Sequence, residues 1–135
     1  MSKENFVTEY RKTMSSFATG VTVVTTLDGN NYIHGMTANS FTSVSLDPPT
    51  VLVCIGHTRN TMTHVNNTNE FAINILSDKQ KYIADYFAKE QTSEGENLEL
   101  NWSIKYGSPY IDGAIALLKA NVVKKYNYGD HAIVL

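Results

Sequence analysis

Apolar side chains recur every three or four positions near the start of the chain, with charged residues between them. This spacing places them on one face of a helix, so the segment predicts an amphipathic helix that ends near Gly20. The apolar stripe consists of Phe6, Tyr10, Met14 and Phe17. We expect the stripe to pack against the rest of the protein.

The remainder of the chain alternates runs of β-branched residues with residues typical of turns. Thr, Val and Ile supply 34 of the 135 residues, and such side chains suit the pleated, half-buried surface of a sheet. Asp28 and Gly29 separate two of these runs and indicate a β-hairpin. Residues 50–55 are nearly all apolar, which predicts a strand buried on both faces. The predicted strands comprise residues 21–27, 31–36, 50–55, 70–76, 114–126 and 131–135.

Two further helices are predicted between the strands. Thr58 is placed to cap a short helix, and Ser77 with Gln80 forms a capping-box pattern in front of another. This last helix should bury Ile83, Tyr86 and Phe87. Residues 89–101 are polar and charged, and we interpret them as a mobile loop. The whole pattern predicts a mainly β domain with two or three flanking helices.

Composition and charge exclude several functional classes. The formal net charge of −2 and the pI near 6.0 give no electrostatic footprint for nucleic acid or for an anionic membrane. No apolar stretch approaches the ~20 residues that cross a bilayer, and no secretory signal is visible. Cys54 is the only cysteine, so neither a disulfide nor a cysteine-based metal site is expected. We therefore expect one cytoplasmic domain that spans residues 1–135.

The sequence lacks the motifs of several common enzyme classes, but one segment has a composition that suits ligand binding. The chain has no glycine-rich phosphate loop and no hydrolase motif. His57 and His64 could share a helix face, but no third ligand is evident, so no metal site is predicted. Residues 37–45, TANSFTSVS, are rich in small hydroxyl and amide side chains, which can direct donors at a planar polar heterocycle or a phosphate. An edge strand with a polar loop explains the same residues without a ligand.

Four blocks of the sequence together resemble the flavin reductase-like family, small NAD(P)H:flavin oxidoreductases that serve two-component monooxygenases. The blocks are FATGVTVVTT at residues 17–26, GMTANSFTSVSLDPP at 35–49, FAINIL at 71–76 and GDH at 129–131. The resemblance implies a Greek-key split β-barrel, a homodimer, and FMN or FAD bound at the dimer interface. It also implies hydride transfer from NADH or NADPH to flavin N5, with reduced flavin passed to a partner monooxygenase.

The resemblance also implies roles for individual residues. His131 matches the residue associated with nicotinamide binding and hydride transfer. Asp130 could hold the His131 imidazole, but neighbouring strand residues point to opposite faces, so no direct pair is expected. Arg59 is interpreted equally well as a partner of a flavin phosphate or as a solvated side chain. The implied cofactor-binding residues are Met36, Thr37, Ala38, Asn39, Ser40, Ser43, Cys54, Ile55, Gly56, Asn60 and Thr61. Asn60 and Thr61 correspond to groups near the flavin phosphate.

Flavin reduction asks little acid–base chemistry of these residues, because the cofactors carry the reaction. Backbone amides and the side chains of Thr37, Asn39 and Ser40 are suitable donors to a reduced, anionic flavin ring. Cys54 is expected to act as a small buried hydrophobe and not as a reactive thiol. We expect the large aromatic side chains Trp102 and Tyr106 to cover the core.

The sequence departs from the family pattern at its C-terminus. The family usually continues beyond the GDH block to a last strand, whereas this chain stops at Leu135, so we expect that closing strand to be missing. Two alternatives to a reductase therefore stay open. One is an FMN-binding electron carrier or sensor that does not reduce free flavin, and the other is a non-enzymatic interaction domain with a vestigial site.

Overall fold

The computed structural model of the chain describes residues 1–89 and 100–135, which form three helices and ten strands. The predicted mainly β fold class is confirmed. The helices are α1 (Lys3–Met14), α2 (Asn60–Thr68) and α3 (Lys81–Ala88), with a 3₁₀ turn at Asp78–Gln80 before α3. The strands are β1 (Thr22–Leu27), β2 (Ile33–Ala38), β3 (Phe41–Leu46), β4 (Pro49–Gly56), β5 (Glu70–Ile75), β6 (Trp102–Lys105), β7 (Ser108–Ile111), β8 (Ala116–Asn121), β9 (Lys125–Tyr128) and β10 (His131–Val134).

Two four-stranded antiparallel sheets enclose the main core. The first has the strand order β2-β1-β5-β8 and the second β3-β4-β10-β9, so the chain passes from one of these sheets to the other between β2 and β3, between β4 and β5, and between β8 and β9. Strands β6 and β7 form a separate hairpin. The core draws side chains from both sheets and from α2, namely Val24, Met36, Ala38, Val53, Ile55, Met62, Val65, Phe71, Ile73, Ala132 and Val134. This arrangement is the split β-barrel that the resemblance implies.

Strand β1 is buried on both faces because a helix covers the outside of the first sheet. Val24 faces the core between the sheets, whereas Val23 packs with Ile83 and Phe87 of α3. Gly35 on β2 makes room for this contact, since a Cβ there would lie 2.8 Å from the Phe87 ring. Helix α3 therefore approaches β2 closely, next to the polar segment singled out from the sequence.

A buried asparagine joins the β6–β7 hairpin to the first sheet. Asn74 is fully buried, its Nδ2 donates to Thr25 Oγ1 (3.0 Å) and its Oδ1 accepts from the Ile111 N–H (2.8 Å). A buried amide is costly unless it is hydrogen-bonded, so these contacts fix where the hairpin lies. Tyr106 lies in the turn of this hairpin at φ 53° and is 86% exposed, so its predicted place over the core is wrong. Trp102 is half-buried.

Helix α1 is shorter than predicted and lies on the surface of the chain. It ends at Met14 and not near Gly20, because Ser15 caps it: the Ser15 hydroxyl donates to the Lys12 carbonyl (2.7 Å) and its N–H to the Arg11 carbonyl (2.9 Å). No residue of α1 is buried. The expected packing of its apolar stripe against the rest of the chain is therefore wrong within a single chain.

Strand β4 also differs from its prediction. Val53 and Ile55 are fully buried, but Cys54 between them is half-buried, so β4 buries mainly one face. A strand in a two-sheet sandwich needs only one apolar face, and the half-buried Leu52 and Cys54 lie on the other face of β4. The prediction of burial on both faces is wrong.

Several element boundaries are confirmed and others shift. The β1–β2 hairpin forms across residues 28–32, as the Asp-Gly pair predicts. The predicted strand at residues 114–126 divides into β8 and β9, which lie in different sheets. The Val122 N–H still donates to the Asn69 carbonyl beside β5 (2.9 Å), whereas the Val123 N–H donates to the Leu135 carbonyl beside β10 (2.9 Å). Helix α2 has Arg59 and not Thr58 as its N-cap residue.

The capping box in front of α3 is confirmed. The Ser77 N–H donates to Gln80 Oε1 (3.0 Å), which satisfies a backbone donor at the start of the helical segment. Ile83 and Phe87 are buried as predicted, and Tyr86 is half-buried. Of the predicted loop at residues 89–101, residues 90–99 lie outside the described part of the chain.

Candidate functional site

The turn between β2 and β3 is fastened to β4 by a single hydroxyl group. Ser40 Oγ accepts from the Cys54 N–H (3.1 Å) and donates to the Cys54 carbonyl (3.3 Å). The β3–β4 register begins one residue later, with Phe41 opposite Val53. Two parts of the sequence that the family resemblance assigns to the flavin therefore lie side by side.

Of the three predicted side-chain donors in this segment, only Asn39 has a side chain that makes no hydrogen bond within the described residues. The Thr37 hydroxyl donates to the Ala84 carbonyl of α3 (2.6 Å), and the Ser40 hydroxyl is held by Cys54. Asn39 is exposed and makes no hydrogen bond to any part of the chain that the structure describes. A ligand at this turn would therefore meet the Asn39 amide and backbone groups, while Thr37 and Ser40 shape the turn.

Some of the remaining predicted cofactor-binding residues have buried side chains and others have exposed ones. Met36, Ala38 and Ile55 belong to the core between the sheets, so their side chains are not available to a ligand. Thr61 is also buried. Ser43, Asn60 and half of the Cys54 side chain are accessible. A flavin at this site would contact the buried members through their backbones.

The predicted catalytic histidine lies beside the end of β4. His131 is the pairing partner of Gly56 where β10 meets β4. A Cβ added at Gly56 would lie 3.8 Å from His131 Nε2 and 3.3 Å from Arg59 Cγ. The absence of a side chain at Gly56 thus leaves room between the imidazole and the start of α2. The structure thus places the predicted catalytic residue, His131, next to Gly56, one of the predicted cofactor-binding residues.

His131 is paired with Asp130, contrary to the expectation from strand alternation. The Nδ1 of His131 lies 2.7 Å from Asp130 Oδ1. Asp130 belongs to the turn between β9 and β10, where Gly129 has φ 58°, so the alternation of a strand does not apply to it. The hydrogen bond from His131 lowers the pKa of Asp130 below its ordinary value. A second contact, from the His57 N–H to the Asp130 carbonyl (3.0 Å), holds the turn.

Arg59 joins α2 to α3. Its Nη2 donates to the Phe87 carbonyl at the end of α3 (3.1 Å), and its side chain is half-buried. The Arg59 side chain is therefore not simply solvated. A guanidinium carries five N–H donors, so Arg59 keeps donors for a ligand after it has bonded to Phe87. Its pairing with a flavin phosphate stays a prediction.

A cluster of polar side chains between the β1–β2 hairpin and α2 was not apparent from the sequence. His34 Nε2 lies 2.8 Å from Asp28 Oδ2, and His34 Nδ1 lies 3.2 Å from Asn60 Nδ2. The ring of His64 stacks on that of His34 with centroids 3.9 Å apart. The only signal in the sequence is the hairpin itself, which brings Asp28 and His34 to neighbouring strand ends.

This environment changes two pKa values. The hydrogen bond from His34 lowers the pKa of Asp28 below its ordinary value of 3.8, with backbone N–H groups of Tyr32 and Asn30 acting in the same direction. Burial lowers the pKa of His64 below its ordinary value of 6.5, and the neighbouring His34 adds to the effect. Both shifts favour a neutral His64 beside an ionised Asp28.

The folded chain should lose stability as the pH falls below about 6.5, the ordinary pKa of His64. Because the pKa of His64 is lowered on folding, the unfolded chain binds a proton more readily, and protonation favours unfolding. Asp28 adds a further loss only below its ordinary value of 3.8. Thermal melting across this range should show a falling Tm, and a His64→Phe variant should show a smaller fall. A Tm that does not change with pH would contradict the effect.

The described residues contain neither a metal-binding group of side chains nor a helix that could cross a membrane. No group of three histidine, cysteine or acidic side chains there is arranged to hold a metal ion. No helix in the described ranges is both long and apolar enough to cross a bilayer. The candidate site therefore consists of the Ser40–Cys54 contact, the exposed Asn39 and the Gly56–His131–Asp130 corner.

The family is decided by a comparison of sequences. The sequence profile described as the flavin reductase like domain matches residues 14–135. The chain belongs to the flavin reductase-like family. The predicted family and its split-barrel fold are confirmed.

Individual family members are similar over most of this chain. It is 40% identical to the reductase component of a flavin-dependent trigonelline monooxygenase from Acinetobacter baylyi, in a match that covers 100% of this chain and 43% of that protein. It is 39% identical to an NADH-dependent flavin reductase from a Rhodococcus species, covering 91% of this chain and 69% of that protein. The chain thus spans less than half of the first of these relatives.

A solved structure of a flavin reductase has the same fold as this chain. The structure of an NADH:FAD oxidoreductase from Streptomyces globisporus superposes with a TM-score of 0.88 at 35% identity, covering 99% of this chain and 80% of that one. The predicted enzyme class, an oxidoreductase acting on flavin with a nicotinamide donor, is confirmed at the level of the family.

Proposed function

We propose that this chain, as a single domain, catalyses the reduction of FMN or FAD by NADH or NADPH, with hydride transfer to flavin N5. The observation that carries the proposal is the corner at which His131 meets Gly56 at the end of β4, next to the Ser40–Cys54 contact. This corner combines a residue without a side chain, Gly56, with an exposed amide at Asn39 and an oriented imidazole. Such a combination fits a planar heterocycle with a polar edge.

The residues of this chain would bind and orient the two reactants. The nicotinamide supplies a hydride and the flavin accepts it, so no side chain needs to act as acid or base in that transfer. Asn39 and the backbone at residues 39–40 would donate to the polar edge of the flavin. His131, held through Nδ1 by Asp130, would orient the nicotinamide, since hydride transfer requires the reacting atoms in close contact.

We further propose that the chain acts as a homodimer with the flavin site at its interface. The apolar side chains on α1 are exposed in one chain, with Phe6 62%, Tyr10 58% and Met14 49% accessible. Several exposed apolar side chains on one helix are typical of a protein–protein interface. A second copy of the chain is the occupant that the family resemblance implies.

Reduced flavin would pass from this chain to a flavin-dependent monooxygenase. Support comes from the relative in Acinetobacter baylyi, which is the reductase component of such a system. We propose a cytoplasmic location, because NAD(P)H is available there and the single cysteine forms no disulfide.

Anaerobic mixing of the purified chain with NADH and FMN tests the proposal. Absorbance of the oxidised flavin should disappear with many turnovers per protein molecule, and the same experiment with FAD and with NADPH ranks the substrates. A protein that binds FMN tightly but is not reduced by either nicotinamide would be the electron carrier or sensor. A protein that leaves flavin fluorescence unchanged on titration would be the interaction domain.

Asn39→Ala should weaken flavin binding by about 1–3 kcal/mol, the usual cost of a lost polar contact, without changing Tm. Ser40→Ala should lower both flavin affinity and Tm, because its hydroxyl joins the turn to Cys54. Fluorescence titration and thermal melting measure the two effects. Asn67→Ala, which changes an exposed asparagine on α2, serves as the matched control. Unchanged flavin affinity in Asn39→Ala would remove Asn39 from the site.

A further inference from the structure

Asp28, His34 and His64 form a cluster with Asn60, and the function proposed above gives no role to these three side chains. Its central pair is largely buried, since the side chains of His34 and Asp28 are only 12% and 10% exposed. Buried ionisable groups are costly unless their hydrogen bonds are satisfied. These residues come from the hairpin and from α2, so the cluster joins two elements at one end of the barrel.

The directions of the hydrogen bonds are fixed by chemistry. An ionised carboxylate only accepts, so His34 donates through Nε2 to Asp28. The other ring nitrogen, Nδ1, is then the acceptor for the Asn60 amide at 3.2 Å. Asp28 is itself held by the N–H groups of Asn30 (2.7 Å) and Tyr32 (3.0 Å). The hairpin turn therefore orients Asp28, Asp28 orients His34, and His34 orients Asn60.

Asn60 is the first residue of α2 and is exposed, although one of its amide hydrogens is held by His34. The family resemblance assigns this position to the surroundings of the flavin phosphate. We propose that Asp28 and His34 are positioning residues that orient the Asn60 amide toward the phosphate of the bound flavin. This inference rests on the proposed function, because it requires flavin at the candidate site.

The two stacked histidines offer a matched pair of variants. Only His34 is bonded to Asn60, and the His64 side chain makes no hydrogen bond within the described ranges. His34→Phe keeps a ring in the stack and removes the contact to Asn60. His64→Phe also keeps a ring in the stack and leaves that contact in place.

The experiment compares the Kd of FMN with that of riboflavin, which lacks the phosphate, by fluorescence titration. Asn60→Ala and His34→Phe should each weaken FMN binding roughly tenfold, as expected for a lost bond to a charged group, and leave riboflavin binding unchanged. The double variant should be no weaker than Asn60→Ala, since both changes remove the same interaction. His64→Phe should keep the parental ratio of the FMN Kd to the riboflavin Kd. Asp28→Asn, which replaces the charged acceptor with a neutral one, should give a smaller change in the same direction.

Four outcomes would overturn the inference. His34→Phe could melt normally and keep the parental FMN-to-riboflavin ratio, or its effect could add to that of Asn60→Ala in the double variant. If His34→Phe folds poorly, a parental ratio of the FMN Kd to the riboflavin Kd in Asp28→Asn, combined with a raised ratio in Asn60→Ala, rejects the positioning role. A parent chain that binds neither FMN nor riboflavin refutes the proposed function itself, and this inference with it.

Discussion

His131→Ala should slow the anaerobic reduction of flavin by NADH roughly 100-fold, the usual effect of a misplaced reactant, and leave the Kd for flavin unchanged. The imidazole lies beside Gly56 with Nδ1 held by Asp130, so its Nε2 side is the part that can contact a nicotinamide. Removing the ring frees the nicotinamide to adopt unproductive orientations. Stopped-flow absorbance measures the rate, and fluorescence titration measures flavin binding.

His57→Ala is the control for this variant. His57 is exposed, and its hydrogen bond to Asp130 comes from the backbone N–H, so the alanine variant keeps that bond and should reduce flavin at the parental rate. Asp130→Asn should slow reduction by a smaller factor than His131→Ala, because the ring remains but its orientation is less firmly held. A parental rate in His131→Ala would reject the role of His131.

Tyr10→Asp should convert the proposed dimer to single chains. Within one chain Tyr10 is 58% exposed and α1 buries nothing, so a carboxylate there costs the isolated fold little. In a dimer that covers α1, the same carboxylate loses its water without gaining a partner, which weakens association on the order of 100-fold. Sedimentation should show half the parental mass at concentrations where the parent is dimeric. Flavin affinity should fall at the same time, because the site lies at the interface.

Tyr82→Asp is a closely matched control, since Tyr82 on α3 is also 58% exposed. It should keep the parental mass and flavin affinity. A parental mass for Tyr10→Asp would show that α1 lies outside the interface, and a parent chain that sediments as a monomer would refute the dimer altogether.

Elements that depend on contacts between residues close in sequence were predicted correctly. The Asp-Gly pair predicted the β1–β2 hairpin, and the spacing of Ser77 and Gln80 predicted the start of the helical segment before α3. The β6–β7 hairpin was missed because its position depends on Asn74, whose bond to Ile111 joins residues 37 positions apart. The length of α1 was overestimated because Ser15 ends the helix before the apolar spacing does.

The family resemblance selected residues that lie close together in the structure, but it did not predict the contacts that they make. The residues that the family resemblance implies for the site include Ser40, Gly56 and His131, and the structure places Ser40 against β4 and His131 beside Gly56. The resemblance does not reveal that Ser40 is committed to Cys54, because that contact depends on how β3 and β4 pair. The Asp130–His131 pair was rejected on strand alternation, and the turn geometry at Asp130 explains why that argument failed.

A crystal structure of this chain with bound FMN tests the central claim most directly. The account predicts the isoalloxazine ring against Gly56 at the end of β4, with the Asn39 amide within hydrogen-bond distance of its polar edge and the His131 ring next to its exposed face. FMN bound elsewhere on the chain, with this corner closed by its own side chains, would contradict it.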